Sequence, residues 1–566
     1  GAYGTNATSY IDFKDSSSVM SRVGVAGVAG TLDVDNLKAN SIRLRTNGST
    51  QVTVTSAGNV GIGTTDPNEK LTVSGNISAS GTVYADAFNS VTGGTAIDFN
   101  DNIDLAGNLT LSGYVSANGG YCSDENANAK FGTCALNGLT TGAQNVAIGT
   151  SALRSNTSGC DNASVGQDAL YANTTGCKNV ALGRAALRYN TTGKWNSAVG
   201  YTALFCTTTG CKNTASGAYA LHYNTTGIEN AGHGYAALYC NTTASYNTAV
   251  GGCSLFANTT GSQNTAVGYK TLVANTCGCR NTAVGECALY ANTTGFENTA
   301  SGWYSLAANT TACRNTAFGA GTLRSNSTGW GHAAVGWYAL NQNTTGCYNV
   351  AVGPRALNDN TNGHRNSALG GWSLRKNTTG NNNTASGYYA LNLNTTGEQN
   401  VAIGNFALRC NTTANANTAL GYAALNKNTT GTHNTASGYK AMECNTTGNW
   451  NTASGKYALR NNTTAPYNVA IGACSSFNNA TGENNTSVGY QSLKTNTSSN
   501  DNTALGTYAL CLTTGHSNTA VGKSALQANS TGAQNTGIGK FALSSNTTAD
   551  NNTAVGVCSL YANTTG

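Results

Sequence analysis

Asparagines followed two places later by Ser or Thr are the most frequent reactive motif in this chain. Such a triplet is the acceptor for N-linked sugar in a eukaryotic secretory pathway, where it sits on exposed turns. It recurs at Asn173, Asn190, Asn224, Asn241, Asn258, Asn292, Asn309, Asn343, Asn377, Asn394, Asn411, Asn428, Asn445, Asn462, Asn546 and Asn563. The same residues suit a purely structural part, since Asn and Thr make hydrogen-bonded turns. Segments that lack the Asn, such as Thr207-Thr-Thr and Leu512-Thr-Thr, keep the threonines, which favours that second reading.

Cysteine is the other abundant reactive residue, with 18 copies and no CxxC pattern; Cys277-Gly-Cys279 is the nearest approach to one. This usage points to an oxidising, extracellular setting with disulfides, against the alternative of free thiols packed as small hydrophobes. The candidate pairs are Cys177/Cys211, Cys206/Cys240, Cys253/Cys287, Cys279/Cys313, Cys313/Cys347 and Cys410/Cys444, each cysteine thirty-four places from its partner.

Other chemistry finds little support. His222, His233, His332, His364, His433 and His516 are scattered over five or six different places of the repeat described below, so no metal ladder is expected. The segment 58–63 has the glycines of a phosphate loop but lacks the following Lys-Ser/Thr and any helix signal. Neither a nucleophile triad nor a paired-carboxylate site can be assembled, and no cofactor is implied. A net charge of +6 over 566 residues, without a Lys/Arg cluster, argues against nucleic acid as a partner. No apolar run is long enough for a membrane span. A chain that opens at Gly1 without signal-peptide form and stops inside a repeat reads as a processed product or part of something longer.

The scaffold that holds these residues is legible in their period. From Asn128 onward a 17-residue unit, Asn-Thr-Ala-Val-Gly-x-x-Ala-Leu-x-x-Asn-Thr-Thr-Gly-x-x, recurs 26 times, with one deletion near Leu512. The fold class expected is all-β, a β-solenoid or β-roll in which each turn buries its apolar face against its neighbours. Gly at the fifth place is invariant and fits positive φ or close backbone approach. Leu at the ninth place, replaced only by Met442 and Ser476, is the expected core residue; the more variable fourth place should be less buried. The Asn-Thr-Thr-Gly segment reads as a turn, with Asn taking left-handed backbone and Gly closing the bend.

A second period of 34 runs beneath the first. Tyr201, Tyr235, Tyr269, Trp303 and Trp337 form one such series, a candidate surface aromatic ladder. The cysteine pairs share this spacing and could bond only if they lay on adjacent turns. Two repeats per 34-residue coil is therefore the preferred geometry, with a 17-residue coil as the alternative. Ahead of the array, 1–115 reads as a β-rich shaft or adaptor: 42–46, 51–55 and 71–74 alternate as strands do, and Asn47-Gly and Gly94-Gly mark turns. A Gly/Asn/Ser linker, 116–127, leads into the solenoid at 128–566.

Motifs such as Gln144-Asn-Val-Ala-Ile-Gly149, Lys178-Asn-Val-Ala-Leu-Gly183 and Asn196-Ser-Ala-Val-Gly200 resemble the repeats of YadA-like trimeric adhesin heads. With Gly58-Asn-Val-Gly-Ile-Gly-Thr-Thr-Asp-Pro ahead of them, they resemble bacteriophage tail-fibre proteins more closely. The resemblance implies a β-roll fibre, often homotrimeric, that reaches or binds a cell surface. The repeat is longer than the YadA-type one, and cysteine use is high for a phage fibre. The function expected is that of a non-enzymatic structural subunit of an extracellular or virion fibre, self-associating and possessing a repetitive polar surface open to glycosylation. The alternative is an adhesin that meets a cell-surface glycan or receptor through its aromatic ladders.

Overall fold

The structure is a computed structural model that describes residues 9–15, 18–26, 31–36, 41–46, 49–74, 122–123 and 126–565. Two units divide the chain, 1–109 and 110–566. In the first, β1 (Ser9–Asp15), β2 (Ser18–Ala26) and β3 (Thr31–Asn36) form an antiparallel sheet. A second sheet contains β4 (Ile42–Thr46), β5 (Ser49–Val54), β6 (Val60–Ile62) and β7 (Leu71–Val73), where the alternating segments were expected. Segment 58–63 is thus built around strand β6, with no helix to present a phosphate site. The proposed turns at 47–48 and 94–95 and most of the proposed linker lie outside the described residues.

The second unit is a parallel β-solenoid. A short strand β8 (Cys122–Ser123) pairs antiparallel with β9 (Ala129–Phe131), and from β9 to β34 (Thr553–Val555) each strand pairs parallel with the next. The register is Thr265↔Thr282, Ala266↔Ala283, Val267↔Val284, so one rung is one repeat. The preferred 34-residue coil is therefore wrong, and the 17-residue alternative is the geometry of the molecule. The single deletion is absorbed in one rung, where Thr503 pairs with Thr519.

Each rung has a strand of only three residues, but hydrogen bonds between rungs run round most of its perimeter. In the rung that begins at Asn281, Thr282 N–H donates to Asn298 O (2.8 Å), Leu289 N–H to Ser305 O (2.9 Å) and Thr293 N–H to Thr310 O (2.9 Å). Gly285 N–H and Glu297 N–H reach back to Val267 O (2.8 Å) and Cys279 O (3.1 Å). Corners are turned by left-handed residues, here Cys287 (φ 55°), Leu289 (φ 51°) and Glu297 (φ 57°). That backbone costs a non-glycine residue roughly 1 kcal/mol or more, and the inter-rung bonds offset it. The turn Asn is not among these residues; its part is different.

Two columns of asparagine amides run through the interior. At the first place, Asn264 Nδ2 donates to Asn247 Oδ1 (3.2 Å) and Gly278 O (2.9 Å), while Asn264 Oδ1 receives the Asn281 N–H (3.0 Å). At the twelfth, Asn292 Nδ2 donates to Asn275 Oδ1 (2.8 Å) and Gly295 O (3.0 Å) and its Oδ1 receives Asn309 Nδ2 (2.8 Å). Both columns are fully buried there, so each polar atom must find its partner in the stack. Between them, Ala at the third and eighth places packs with Leu at the ninth in a continuous core from Ala135 to Ala470. The fourth place faces solvent, as expected (Val284 is 40% exposed). The fifth-place glycine is obligatory twice over: Gly302 has φ +137°, and a Cβ there would lie 2.5 Å from the carbonyl of Gly319.

The core is interrupted once. Ser476 replaces the ninth-place Leu and, with Ser475, Ser487 and Ser492, forms a buried hydroxyl cluster (Ser476 Oγ to Ser487 Oγ, 2.8 Å; Ser475 Oγ to Ser492 Oγ, 3.0 Å). Beyond it a second apolar core begins at Leu493.

The twelfth-place column is broken at Thr207, and the break leaves Asn190 Oδ1 and Thr207 Oγ1 buried without partners. An orphaned buried polar atom costs about 1–3 kcal/mol. Replacing Thr207 by Asn is expected to rejoin the column between Asn190 and Asn224 and to slow amide hydrogen exchange in rungs 179–230, read by mass spectrometry. Unchanged or faster exchange there would show that the amide column contributes nothing to rung stability.

Candidate functional site

The predicted sequon asparagines are the buried column itself. From Asn173 to Asn546 each carries no exposed surface, and Asn563, on the last rung, is half-buried. Their Nδ2 atoms, where a sugar would be attached, donate inside the stack: Asn190 Nδ2 to Asn173 Oδ1 (2.7 Å), Asn394 Nδ2 to Asn377 Oδ1 (2.8 Å). A glycan on Asn224, Asn241, Asn258, Asn309, Asn343, Asn377, Asn411, Asn428, Asn445 or Asn462 would displace a buried amide, so the exposed-turn expectation is corrected. The threonine that follows is also structural, its Oγ1 donating to the carbonyl of its counterpart (Thr293 Oγ1 to Thr310 O, 3.1 Å).

The expected disulfides are corrected as well. Cys177, Cys211, Cys206, Cys240, Cys253, Cys287, Cys279, Cys313, Cys347, Cys410 and Cys444 are all free thiols. With one repeat per rung, the members of each expected pair stand two rungs apart. Two rungs are ~9.6 Å, beyond the roughly 7 Å between Cα atoms that a disulfide spans. Cys444 shows the consequence: instead of bonding Cys410 it is a free thiol whose sulfur lies 3.9 Å from Lys427 Nζ, on the rung between them.

A different requirement places sulfur at the sixteenth position. In many rungs the amide at that place has no backbone acceptor and is received by the side chain at the same place one rung on, where that side chain carries an acceptor. The acceptors are Cys211 Sγ for Lys194 N–H (3.4 Å), Ser245 Oγ for Ile228 N–H (3.1 Å), His364 Nδ1 for Cys347 N–H (3.0 Å) and Asn415 Oδ1 for Glu398 N–H (2.7 Å). Cysteine is one of several side chains that fill this capping part.

The predicted aromatic ladder occupies alternate rungs. Tyr201, Tyr235, Tyr269, Trp303 and Trp337 are all exposed, but small or polar residues stand between them, including Ala218, Gly252, Glu286 and Ala320. Continuous columns form elsewhere. At the tenth place Phe205, His222, Tyr239 and Phe256 stack on consecutive rungs, with centroids 4.9, 5.2 and 5.0 Å apart and rings within 13° of parallel. Trp372, Tyr389 and Phe406 stack at the seventh place (5.8 and 5.9 Å). Arg355 lies between Trp337 and Trp372, 4.8 and 4.9 Å from their rings. Aromatics at a strict spacing of 17 were the sequence signal for these columns.

The 34-residue period therefore reports alternation between neighbouring rungs. Bulky rings about 4.8 Å apart must stack in parallel or alternate with small residues. Charges alternate too: Glu297 receives Arg280 on one side (3.1 Å) and Arg314 on the other (3.0 Å). Arg314 first, then Arg280, holds the Glu297 carboxyl below its usual range. Among the described residues no group of three or more His, Cys, Asp or Glu could hold a metal, and no helix is long and apolar enough to cross a membrane.

A surface groove of about 470 Å³ is lined by Trp330, Tyr348, His364, Arg365, Asn382 and Glu398, among others. The rings of Trp330 and Tyr348 are 4.5 Å apart. Gly331, with φ +72°, leaves room for the Tyr348 ring, which a Cβ there would approach to 3.0 Å. Asn381 Nδ2 donates to Glu398 Oε1 (2.9 Å), and both residues line the groove. Comparison with protein-family models, curated proteins and solved structures returns no match.

One histidine sits inside an amide column. His332 takes the first place of its rung: its Nδ1 receives the Asn349 N–H (3.2 Å) and its Nε2 lies 2.7 Å from Gly346 O. This assigns the neutral tautomer with the proton on Nε2. Burial lowers its pKa from 6.5 to about 4. Between those values the unfolded chain takes up a proton and the folded rung does not, so stability is full above about 6.5 and falls as pH drops toward 4. The loss is about 3 kcal/mol at most. His332→Asn is expected to flatten the decline of the thermal midpoint between neutral pH and pH 4; an equal decline in both proteins would remove His332 as its source.

Proposed function

We propose that this chain is a non-enzymatic structural subunit of an extracellular or virion-borne fibre. The observation that carries this reading is that every rung bonds to the next around most of its perimeter, over a solid interior of Ala, Leu and stacked Asn. Such a unit supplies length and a repeated surface. From β9 to β34 it extends ~120 Å at the spacing of paired strands. The alternating charges and rings give each face a repeated pattern that a second copy of the chain can match, so self-association, as a trimer in the resembled fibres, belongs to this proposal. Electron microscopy of the purified full-length chain is expected to show unbranched rods or filaments whose thickness exceeds that of one solenoid. Isolated thin monomers at all concentrations would reject the fibre subunit.

A second reading, an adhesin for a cell-surface glycan, is favoured by the groove at Trp330. Exposed rings beside Arg, Asn and Glu offer a stacking face and hydrogen-bonding groups to a sugar. Oligosaccharides that bind there should change tryptophan fluorescence in the native chain and much less in Trp330→Ala. Absence of any saturable change across glucose-, galactose- and amino-sugar-containing oligosaccharides would reject this reading without touching the first.

A further inference from the structure

Cys160 and Cys177 are the one pair of cysteines at the same place on consecutive rungs. Both take the sixteenth place, and the Lys178 N–H bonded to Cys160 O (2.9 Å) holds the two backbones in adjacent positions. The spacing of paired strands, ~4.8 Å, falls inside the Cα separation a disulfide accepts. The side chains already meet: Sγ lies 2.9 Å from Sγ, and the Cys160 N–H also points at the Cys177 sulfur (3.2 Å). Both thiols are half-buried and so remain reachable by a small molecule.

We propose that Cys160 and Cys177 are an oxidative modification site, closing to a rung-to-rung disulfide on exchange with a low-molecular-weight disulfide such as oxidised glutathione. The Cys177 thiolate attacks one sulfur of the donor, forming a mixed disulfide and expelling one glutathione thiolate. Cys160, as thiolate, then attacks Cys177 Sγ and expels the second. Two protein thiols become one disulfide, the donor is reduced to two thiols, and the two protons pass to solvent or to the departing thiolates. The order follows from the geometry, since the Cys160 thiol donates to Cys177, a contact that raises its pKa to about 11. Cys211, at the same place but separated from Cys177 by Lys194, lacks a neighbouring sulfur and stays outside the bond.

The test uses the folded full-length chain, incubated with oxidised glutathione at mildly alkaline pH, blocked with N-ethylmaleimide and digested with trypsin. Cleavage after Arg154 and Lys178 releases both cysteines in one peptide, 155–178. The expected product is that peptide lighter by two hydrogens and free of maleimide, its halves still joined after cleavage at Tyr171 until reductant is added. Alkylation of both cysteines, arrest as a glutathione adduct, or joining of Cys177 to Cys211 would overturn the proposal. In Cys177→Ser, Cys160 should remain a thiol or a glutathione adduct; capture by another cysteine would overturn the selectivity. Oxidation in guanidinium should lose the preference for this pair, and persistence there would overturn the fold as its cause.

Discussion

In-register stacking of each 17-residue repeat on the one before governs the whole solenoid. Its strands are only three residues long, too short to specify a register by themselves. What fixes the register is that an amide side chain must lie above an amide side chain. A slip of one residue would set Asn292 beside Ala308 or Thr310, and Asn281 beside Glu297 or Thr299, and strand several buried donors and acceptors at once, each at about 1–3 kcal/mol. The columns at the first and twelfth places therefore specify as well as stabilise.

Substitutions in these columns show how narrow the requirement is. His332 is accepted because its ring offers an acceptor and a donor with nearly the spacing of an amide, to Asn349 N–H and Gly346 O. Thr207 has a hydroxyl too short to reach its neighbours and leaves two atoms unpaired. In the deleted rung, Thr513 still receives Asn529 Nδ2 (3.1 Å), because the shortened turn brings its hydroxyl into line. The core is governed in the same way by its neighbours. Ser476 would be a poor substitute for Leu among alanines, yet its hydroxyl meets Ser487 Oγ, which Ser475 joins in turn to Ser492.

The outer surface follows a looser rule, that of accommodating a neighbour ~4.8 Å away. Parallel rings, a guanidinium between two indoles, a large ring beside Ala or Gly, and a carboxylate between two arginines are all solutions to it. These exposed contacts contribute little individually to stability. Their value lies in giving each face of the rod a distinct, repeating pattern of charge and aromatic surface.

Residue order alone was enough to read the period, the number of rungs, the obligatory glycine, the core leucine and the exposure of the fourth place. These follow from tolerance at each position, which is a property of local backbone and of burial that every rung shares. That a rung is one repeat became visible only in the strand pairing. The 34-residue alternation of Tyr with Ala, or of Arg with Glu, has the same spacing whether it arises within a coil or between coils. The inward direction of Asn292 and its counterparts was equally hidden. An Asn-Thr-Thr-Gly segment is equally good turn chemistry on a surface or against a buried amide column, and what selects between them is the Asn one rung away.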